Sequence, residues 1–170
     1  MTRKTGLMMA TTLIGGALVA GATAPAASAD TTAVAAKRGT FGPYGYGGVK
    51  LGWSAKRAQA SHKIVRKFRG GACSGWDLKA HRTGRDSVGL YISKKHGVAL
   101  ISAPKGVSTP RGIHIGSTLK QVKRAYPGVR LGDYYYVTVP GNRKATYNFL
   151  VRHGKVYELN IALKNQDCTN

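Results

Sequence analysis

The stretch Gly48-Val-Lys-Leu-Gly-Trp-Ser-Ala-Lys56 returns later in the chain as Gly112-Ile-His-Ile-Gly-Ser-Thr-Leu-Lys120. Both copies read glycine, β-branched, polar, aliphatic, glycine, any residue, Ser or Thr, any residue, lysine. A helix signal follows each copy, and each half later carries a basic cluster with a His-Gly pair between two apolar runs. Because three features recur in the same order, the sequence predicts two tandem repeats, 48–111 and 112–168.

The first copy leads into a predicted helix. Ser54 is a favourable N-cap, and the Gly70-Gly71 pair would stop the helix. At about 100° per residue, such a helix has a thin apolar face and an opposite basic face. The basic face would consist of Lys56, Lys63 and Lys67.

The second copy leads into another predicted helix. Thr118 and Gln121 have the spacing of a capping box, in which each side chain bonds the other residue's backbone N–H. Leu119 and Val122 would form the apolar stripe, and Pro127-Gly128 would end the helix.

Strand signals follow both helices, and basic turns join some of them. Alternating or continuous apolar runs predict strands over 88–93, 98–102, 134–139, 145–151 and 156–163. The turns 94–97 and 152–155 predict hairpins, and in the last strand alternate residues from Tyr157 to Leu163 would share one face. We therefore predict an α+β fold, in which two tandem helix-plus-antiparallel-sheet repeats form one continuous sheet with helices on one face.

The N-terminus has the features of a secretory signal peptide. Arg3 and Lys4 form a basic region, residues 7–20 are apolar, and Ala27-Ser28-Ala29 is a cleavage site. We expect export by the general secretory route with cleavage after Ala29. The cleavage site has no cysteine, so we expect no lipid anchor. We also predict no membrane-spanning segment later in the chain.

The segment after the expected cleavage site is predicted to be a flexible linker. Residues 30–40 are rich in Ala and Thr without a period, and residues 41–48 are too rich in glycine for regular structure. The linker would cover 30–47, and the folded domain would cover 48–168.

The two cysteines, Cys73 and Cys168, allow two interpretations. In an oxidising compartment two cysteines in one domain usually pair, which favours a disulfide between them. The alternative is a nucleophilic thiol, because residues 71–75 read G-x-C-x-G. That motif needs a strand before it and a helix after it, whereas the local patterns here have the reverse order.

The charge is the strongest functional signal. The chain has 27 Lys+Arg and 6 Asp+Glu, and removal of residues 1–29 leaves about +19. Such an excess destabilises the compact state, and a polyanionic partner would relieve the repulsion. The candidate partner-binding residues are Lys56, Lys63, Lys67, Lys94, Lys95, Arg143 and Lys144, with Tyr134 and Tyr136 as stacking side chains.

No catalytic motif, metal-ligand spacing or cofactor fingerprint is found, so we expect neither a metal nor a cofactor. The sequence favours a secreted, non-enzymatic binding protein that docks onto an anionic cell-wall polymer or an acidic protein, with nucleic acid as a further, non-specific partner. One alternative is a secreted hydrolase of nucleic acid or cell wall, in which His96 or His153 would act with Glu158. Another is a cationic antibacterial protein.

The repeated entry G-[VI]-x-[LI]-G-x-[ST]-x-K, followed by a helix and a β-meander, resembles the repeat unit of the beta-lactamase inhibitor protein and of small outer-membrane lipoproteins. The resemblance fits a secreted, actinomycete-like bacterial protein. It covers residues 48–168 and is carried mostly by Gly52, Ser54, Gly116 and Thr118. It implies two helix-plus-sheet units that form one concave sheet, and it raises an inhibitor function as a special case of binding. The chain departs from that family in having one cysteine in each half and a large positive charge.

Overall fold

The computed structural model describes residues 39–169, which form two sheets and two helices. The predicted signal peptide lies outside the described residues. Strands β1 (Gly45–Tyr46) and β2 (Val49–Lys50) form a small antiparallel sheet. The other elements are α1 (Ala55–Ala60), β3 (Ile64–Phe68), β4 (Cys73–Leu78), β5 (Leu90–Ser93), β6 (Gly97–Ser102), α2 (Leu119–Ala125), β7 (Arg130–Leu131), β8 (Tyr135–Val139), β9 (Asn142–Arg152) and β10 (Lys155–Leu163).

Strands β3 to β10 form one antiparallel sheet in the order β3-β4-β5-β6-β10-β9-β8-β7. Each helix is followed by four strands, and within each set every strand pairs with the next one in sequence. The last strands of the two sets, β6 and β10, pair with each other, with Ile101 opposite Ile161. The predicted α+β class and the continuous sheet are confirmed.

The hydrophobic core lies between the helices and one face of this sheet. Ala58 of α1 and Val122 of α2 are fully buried and belong to the same cluster as Leu159 and Ile161 of β10. The opposite face carries no helix among the described residues, and we call it the open face. Both helices are short, and none within residues 39–169 has the length and apolar character to cross a membrane.

The first helix is much shorter than the sequence predicted. Ser54 is its N-cap as expected, but the helix ends at Ala60, and His62 has a φ of +55°. Residues 64–68, expected to be helical, form β3, in which Ile64 lies opposite Leu78. The β-branched pair at 64–65 and the strand partner outweigh the helical pattern, because tertiary pairing overrides weak local propensity.

The predicted basic helix face is therefore wrong. Lys56 lies on α1, Lys63 lies between α1 and β3, and Lys67 lies within β3. The three lysines do not share one helical surface.

The second helix agrees with the prediction. The Thr118 hydroxyl accepts a hydrogen bond from the Gln121 N–H, and the Gln121 side chain accepts one from the Thr118 N–H at 2.7 Å. The helix ends before Pro127, and Tyr126 at its C-cap is buried. Reciprocal capping of this kind is a local interaction, which explains why the sequence pattern was sufficient to predict where this helix begins.

The predicted faces of β10 change at one point. A bulge lies between Val156 and Glu158, so Val156 is 1% exposed whereas Tyr157 is 44% exposed. Tyr157 therefore does not share the buried face of Leu159 and Ile161, although the alternation had predicted that it would. The extra residue of a bulge reverses which side chains face the core, and the alternation of apolar and polar residues in the sequence does not reveal where a bulge lies.

The predicted linker extends too far. Within it, Phe41 is 1% exposed, and its N–H donates a hydrogen bond to the Ser108 carbonyl at 2.9 Å. Its ring packs beside the ring of Tyr147, with centroids 6.1 Å apart. Burial of one such ring contributes about 2–3 kcal/mol towards the ordering of this glycine-rich segment, which has no period of its own.

Cys73 at the start of β4 forms a disulfide with Cys168 near the C-terminus, across 95 residues of sequence. There is no free thiol among the described residues, so the nucleophile interpretation of the G-x-C-x-G motif is wrong. The bond ties the C-terminal segment to the sheet.

Replacement of Cys73 or Cys168 by Ser is expected to lower the free energy of unfolding by about 4 kcal/mol, because a long loop in the unfolded chain is released. Urea titrations of the oxidised mature protein and of each variant measure this. The double variant should match the single variants, since each removes the same bond. A single variant as stable as the wild type would contradict the prediction.

Tyr147 is fully buried, and its hydroxyl has no hydrogen-bond partner among residues 39–169. Burial raises the pKa of this phenol to about 12, and the neighbouring Tyr126 adds to the effect. The folded protein thus holds the phenolic proton more tightly than the unfolded chain, where the pKa is near 10. The corresponding stability is fully present below pH 10 and is lost as the pH rises through 12.

Tyr147→Phe is expected to be as stable as the wild type at pH 7, because the lost hydroxyl makes no hydrogen bond. Relative to the wild type, the free energy of unfolding of the variant should rise by about 2 kcal/mol between pH 10 and pH 12. In this range the unfolded wild-type chain ionises Tyr147, whereas the folded protein keeps the phenol protonated. Unfolding titrations at a series of pH values measure the difference. Tyr44→Phe, the same change at an exposed tyrosine, is the matched control, and equal behaviour of the two variants would refute the assignment.

Candidate functional site

Exposed bases gather at one end of the eight-stranded sheet. The β5–β6 turn and the start of β4 meet there, because Ser93 lies opposite both Gly97 and Cys73. The Lys164 N–H donates to the Lys144 carbonyl at 2.9 Å, which brings β9 and the C-terminal segment to the same end. We call the resulting surface the basic end; its six exposed bases are Arg69, Lys94, Lys95, Arg143, Lys144 and Lys164.

The basic end has little compensating negative charge. Of the carboxylates in residues 39–169, Asp167 is the one that lies there, next to the disulfide. At this end the His96 ring nitrogen Nδ1 lies 3.2 Å from the Asn165 amide nitrogen, so the turn also contacts the C-terminal segment. The disulfide and these contacts hold the turns in fixed relative positions.

Four of the predicted binding residues lie in the basic end: Lys94, Lys95, Arg143 and Lys144. Lys56 lies instead on the helix side, and Lys63 precedes β3 at the opposite end of the sheet. Sequence reasoning did not include Arg69 and Lys164 in the site. Their position follows from the register of β3 and β10, which local patterns do not supply.

Lys67 has a different role from the one predicted. Its ammonium donates to the Thr83 hydroxyl at 2.9 Å and to the Ser87 carbonyl at 2.6 Å. It also lies 3.6 Å from the Asp77 carboxylate, the one ion pair found among residues 39–169. The Lys67 ammonium is therefore engaged by groups of the fold itself, and Lys67 is not one of the six bases of the basic end.

Asp77 completes this contact from the other side. Its buried carboxylate accepts hydrogen bonds from the Thr83 hydroxyl at 2.7 Å and from the Gly89 N–H at 3.0 Å. The Thr83 N–H donates to it as well, at 3.1 Å. Lys67 and Asp77 together hold the loop between β4 and β5 against the open face.

Lys67→Met is expected to lower the free energy of unfolding by about 3 kcal/mol, because it leaves the buried Asp77 carboxylate without its cation. Lys63→Met is the matched control. It removes an exposed lysine near the same strand and should change stability by less than about 0.5 kcal/mol. Thermal or urea unfolding compares the two, and equal small effects would show that the contact contributes little.

The residues of the hydrolase alternative do not come together. His96 lies at the basic end, whereas His153 lies in the β9–β10 turn at the far end of a nine-residue strand, about 30 Å away along β10. Glu158 lies between them on the open face, opposite Leu150 of β9. Neither histidine is within hydrogen-bonding reach of this carboxylate, so the predicted acid–base pair is not assembled.

A groove crosses the open face. It consists of two adjoining cavities with volumes of about 650 Å³ and about 550 Å³. Tyr134 and Asn148 line both cavities, and Tyr136 lines the larger one. The structure thus places the two predicted tyrosines in the groove, and Lys164 is the base of the basic end that lines it as well. We call this surface the open-face groove.

Among residues 39–169, one group has the side chains of a metal site: Cys73, Asp167 and Cys168. Both sulfur atoms belong to the disulfide, so neither is available as a thiolate ligand.

The comparisons with known proteins find no match to this chain, whether with protein-family models, curated proteins or solved structures.

Proposed function

We propose that this chain is an exported, non-enzymatic binding protein that docks its basic end onto an anionic polymer of the cell envelope. The observation that supports the proposal is the gathering of six exposed bases at one sheet end, where Asp167 is the one carboxylate among residues 39–169. A surface of this kind attracts polyanions and does not need a catalytic group.

The arrangement of the bases suits an extended polymer. They lie on successive turns along the sheet end, from the β3–β4 turn to the β8–β9 turn, with the C-terminal segment between. Neighbouring strands lie about 4.8 Å apart, so the β5 and β9 positions are separated by about 14 Å. This distance exceeds the Debye length of about 8 Å at physiological salt, so one small anion would not neutralise the whole row.

We further propose that residues 48–111 and 112–168 are tandem repeats of the inhibitor-like type. Each half has an N-capped helix followed by four sequentially paired strands, and the two halves meet through their last strands. This supports the fold resemblance but does not name a target, because one fold serves many functions. An inhibitor function would require a shaped protein interface in addition to charge.

The test compares two variants that each lose four positive charges, one at the basic end and one elsewhere on the surface. Lys94→Gln, Lys95→Gln, Arg143→Gln and Lys144→Gln are combined in one variant. The control combines Lys56→Gln, Lys79→Gln, Lys105→Gln and Lys120→Gln, which are exposed bases elsewhere. Affinity for purified wall teichoic acid is expected to fall at least tenfold in the first variant and less than threefold in the second, because contacts close to the polymer dominate.

The dependence of binding on salt separates the proposed partner from others. Binding to the polymer should weaken steeply between 50 mM and 200 mM salt, as phosphate contacts release counterions. Equal losses in both variants would contradict a specific basic end. Retention of one acidic protein at high salt, with weak polymer binding, would replace the proposal by an inhibitor-like interface.

A further inference from the structure

The open-face groove differs in charge from the rest of the molecule. Asp86, Asp133 and Glu158 line it, and these are three of the six carboxylates of the whole chain. The bases that line it are Arg130 and Lys164. In a chain with 27 Lys+Arg, a surface with more acids than bases is unsuited to a polyanion. The groove therefore has a ligand chemistry different from that of the basic end.

The floor of the groove includes a pair of amides on the central strands. Asn148 of β9 and Asn160 of β10 lie opposite each other and are 3% and 4% exposed. The Asn148 amide donates to the Asn160 oxygen at 2.8 Å, and Asn160 in turn points its amide at the Glu158 carboxylate, 3.5 Å away. Such side chains can both donate and accept, which suits hydroxyl groups.

One atom of this floor is unsatisfied. The Asn148 side-chain oxygen is buried and has no hydrogen-bond partner within the described part of the chain. An unpaired buried acceptor costs about 1–3 kcal/mol, and a donor supplied from the groove would recover it. Asn148 lines both cavities, so this residue lies where they join.

Tyrosines form the sides of the groove. Tyr136 lies on the β8 side, Tyr134 borders both cavities, and Tyr91 and Tyr157 lie on the β5 and β10 side. Tyrosine combines a flat apolar ring with a polar tip, and such rings cover the apolar faces of sugar units while leaving their hydroxyls free. The strands from β5 to β8 span about 19 Å, which gives the groove the length for several linked units.

We propose that the open-face groove binds an uncharged oligosaccharide, with Tyr134 as a stacking residue and Asn148 as the polar anchor. The excess of carboxylates disfavours an anionic chain. The large positive charge of the whole protein repels a cationic chain before it arrives. An uncharged glycan is repelled neither by the carboxylates of the groove nor by the charge of the whole protein. Its hydroxyls can form hydrogen bonds with the amides of the floor. This site is independent of the polymer docking proposed for the basic end.

The experiment measures binding of the oxidised mature protein to three uncharged probes by calorimetry. The probes are hexasaccharides of β-1,4-linked glucose, β-1,4-linked N-acetylglucosamine and α-1,4-linked glucose. We expect saturable binding to at least one, unchanged between 50 mM and 500 mM salt. Tyr134→Ala should weaken it at least tenfold, and Tyr44→Ala, the same change at an exposed tyrosine outside the groove, by less than twofold.

Glu158→Gln distinguishes an uncharged ligand from a cationic one. The substitution removes the charge but keeps the shape of the side chain, so the affinity for the glycan should change by less than threefold. Hexalysine serves as the cationic probe. Circular dichroism and unfolding curves confirm that each variant is folded. The proposal is overturned if none of the glycans binds at millimolar concentration, or if Tyr134→Ala leaves glycan binding intact. It is also overturned if hexalysine alone binds and Glu158→Gln weakens that binding. Salt-independent glycan binding would stand even if docking of the basic end failed.

Discussion

Strands β6 and β10 lie side by side at the centre of the sheet, and the rest of the molecule depends on that pairing. Ile101 and Ile161 lie opposite each other there and are fully buried. Without the pairing, each four-strand set would end in an exposed apolar edge, which is prone to association. Joined, the two sets give α1 and α2 one surface, over which Ala58 and Val122 share a single core.

The same pairing separates the molecule's charges. It sets the ends of β5, β6, β9 and β10 in one row, and the turns that carry lysine and arginine follow those ends. It also aligns Asn148, Asn160 and Glu158 on the open face. A strongly basic sequence thereby acquires one surface rich in positive charge and another with more carboxylates than bases.

Local signals predicted the parts of the fold that local interactions stabilise. The Thr118–Gln121 capping box, the turns at 94–97 and 152–155 and the pairing of two cysteines all depend on near neighbours or on simple cysteine count. The prediction failed at 61–69, where a strand partner overrode a thin helical pattern, and at Tyr157, where a bulge reversed the faces. Phe41 was missed because its order depends on Tyr147, more than a hundred residues away in sequence.

The sequence by itself determined the α+β class, the candidate disulfide and the large positive charge, because composition, short motifs and local periods carry that information. The signal peptide stays a prediction, since it lies outside the described residues. The tertiary structure alone decided which bases share a surface. Lys67, chosen with the others from the sequence, bonds inward to Thr83 and Asp77, whereas Arg69 and Lys164 join the basic end. The physical reason is strand register, which is set by pairing between distant segments and which places residues at one sheet end or one face without any local signal.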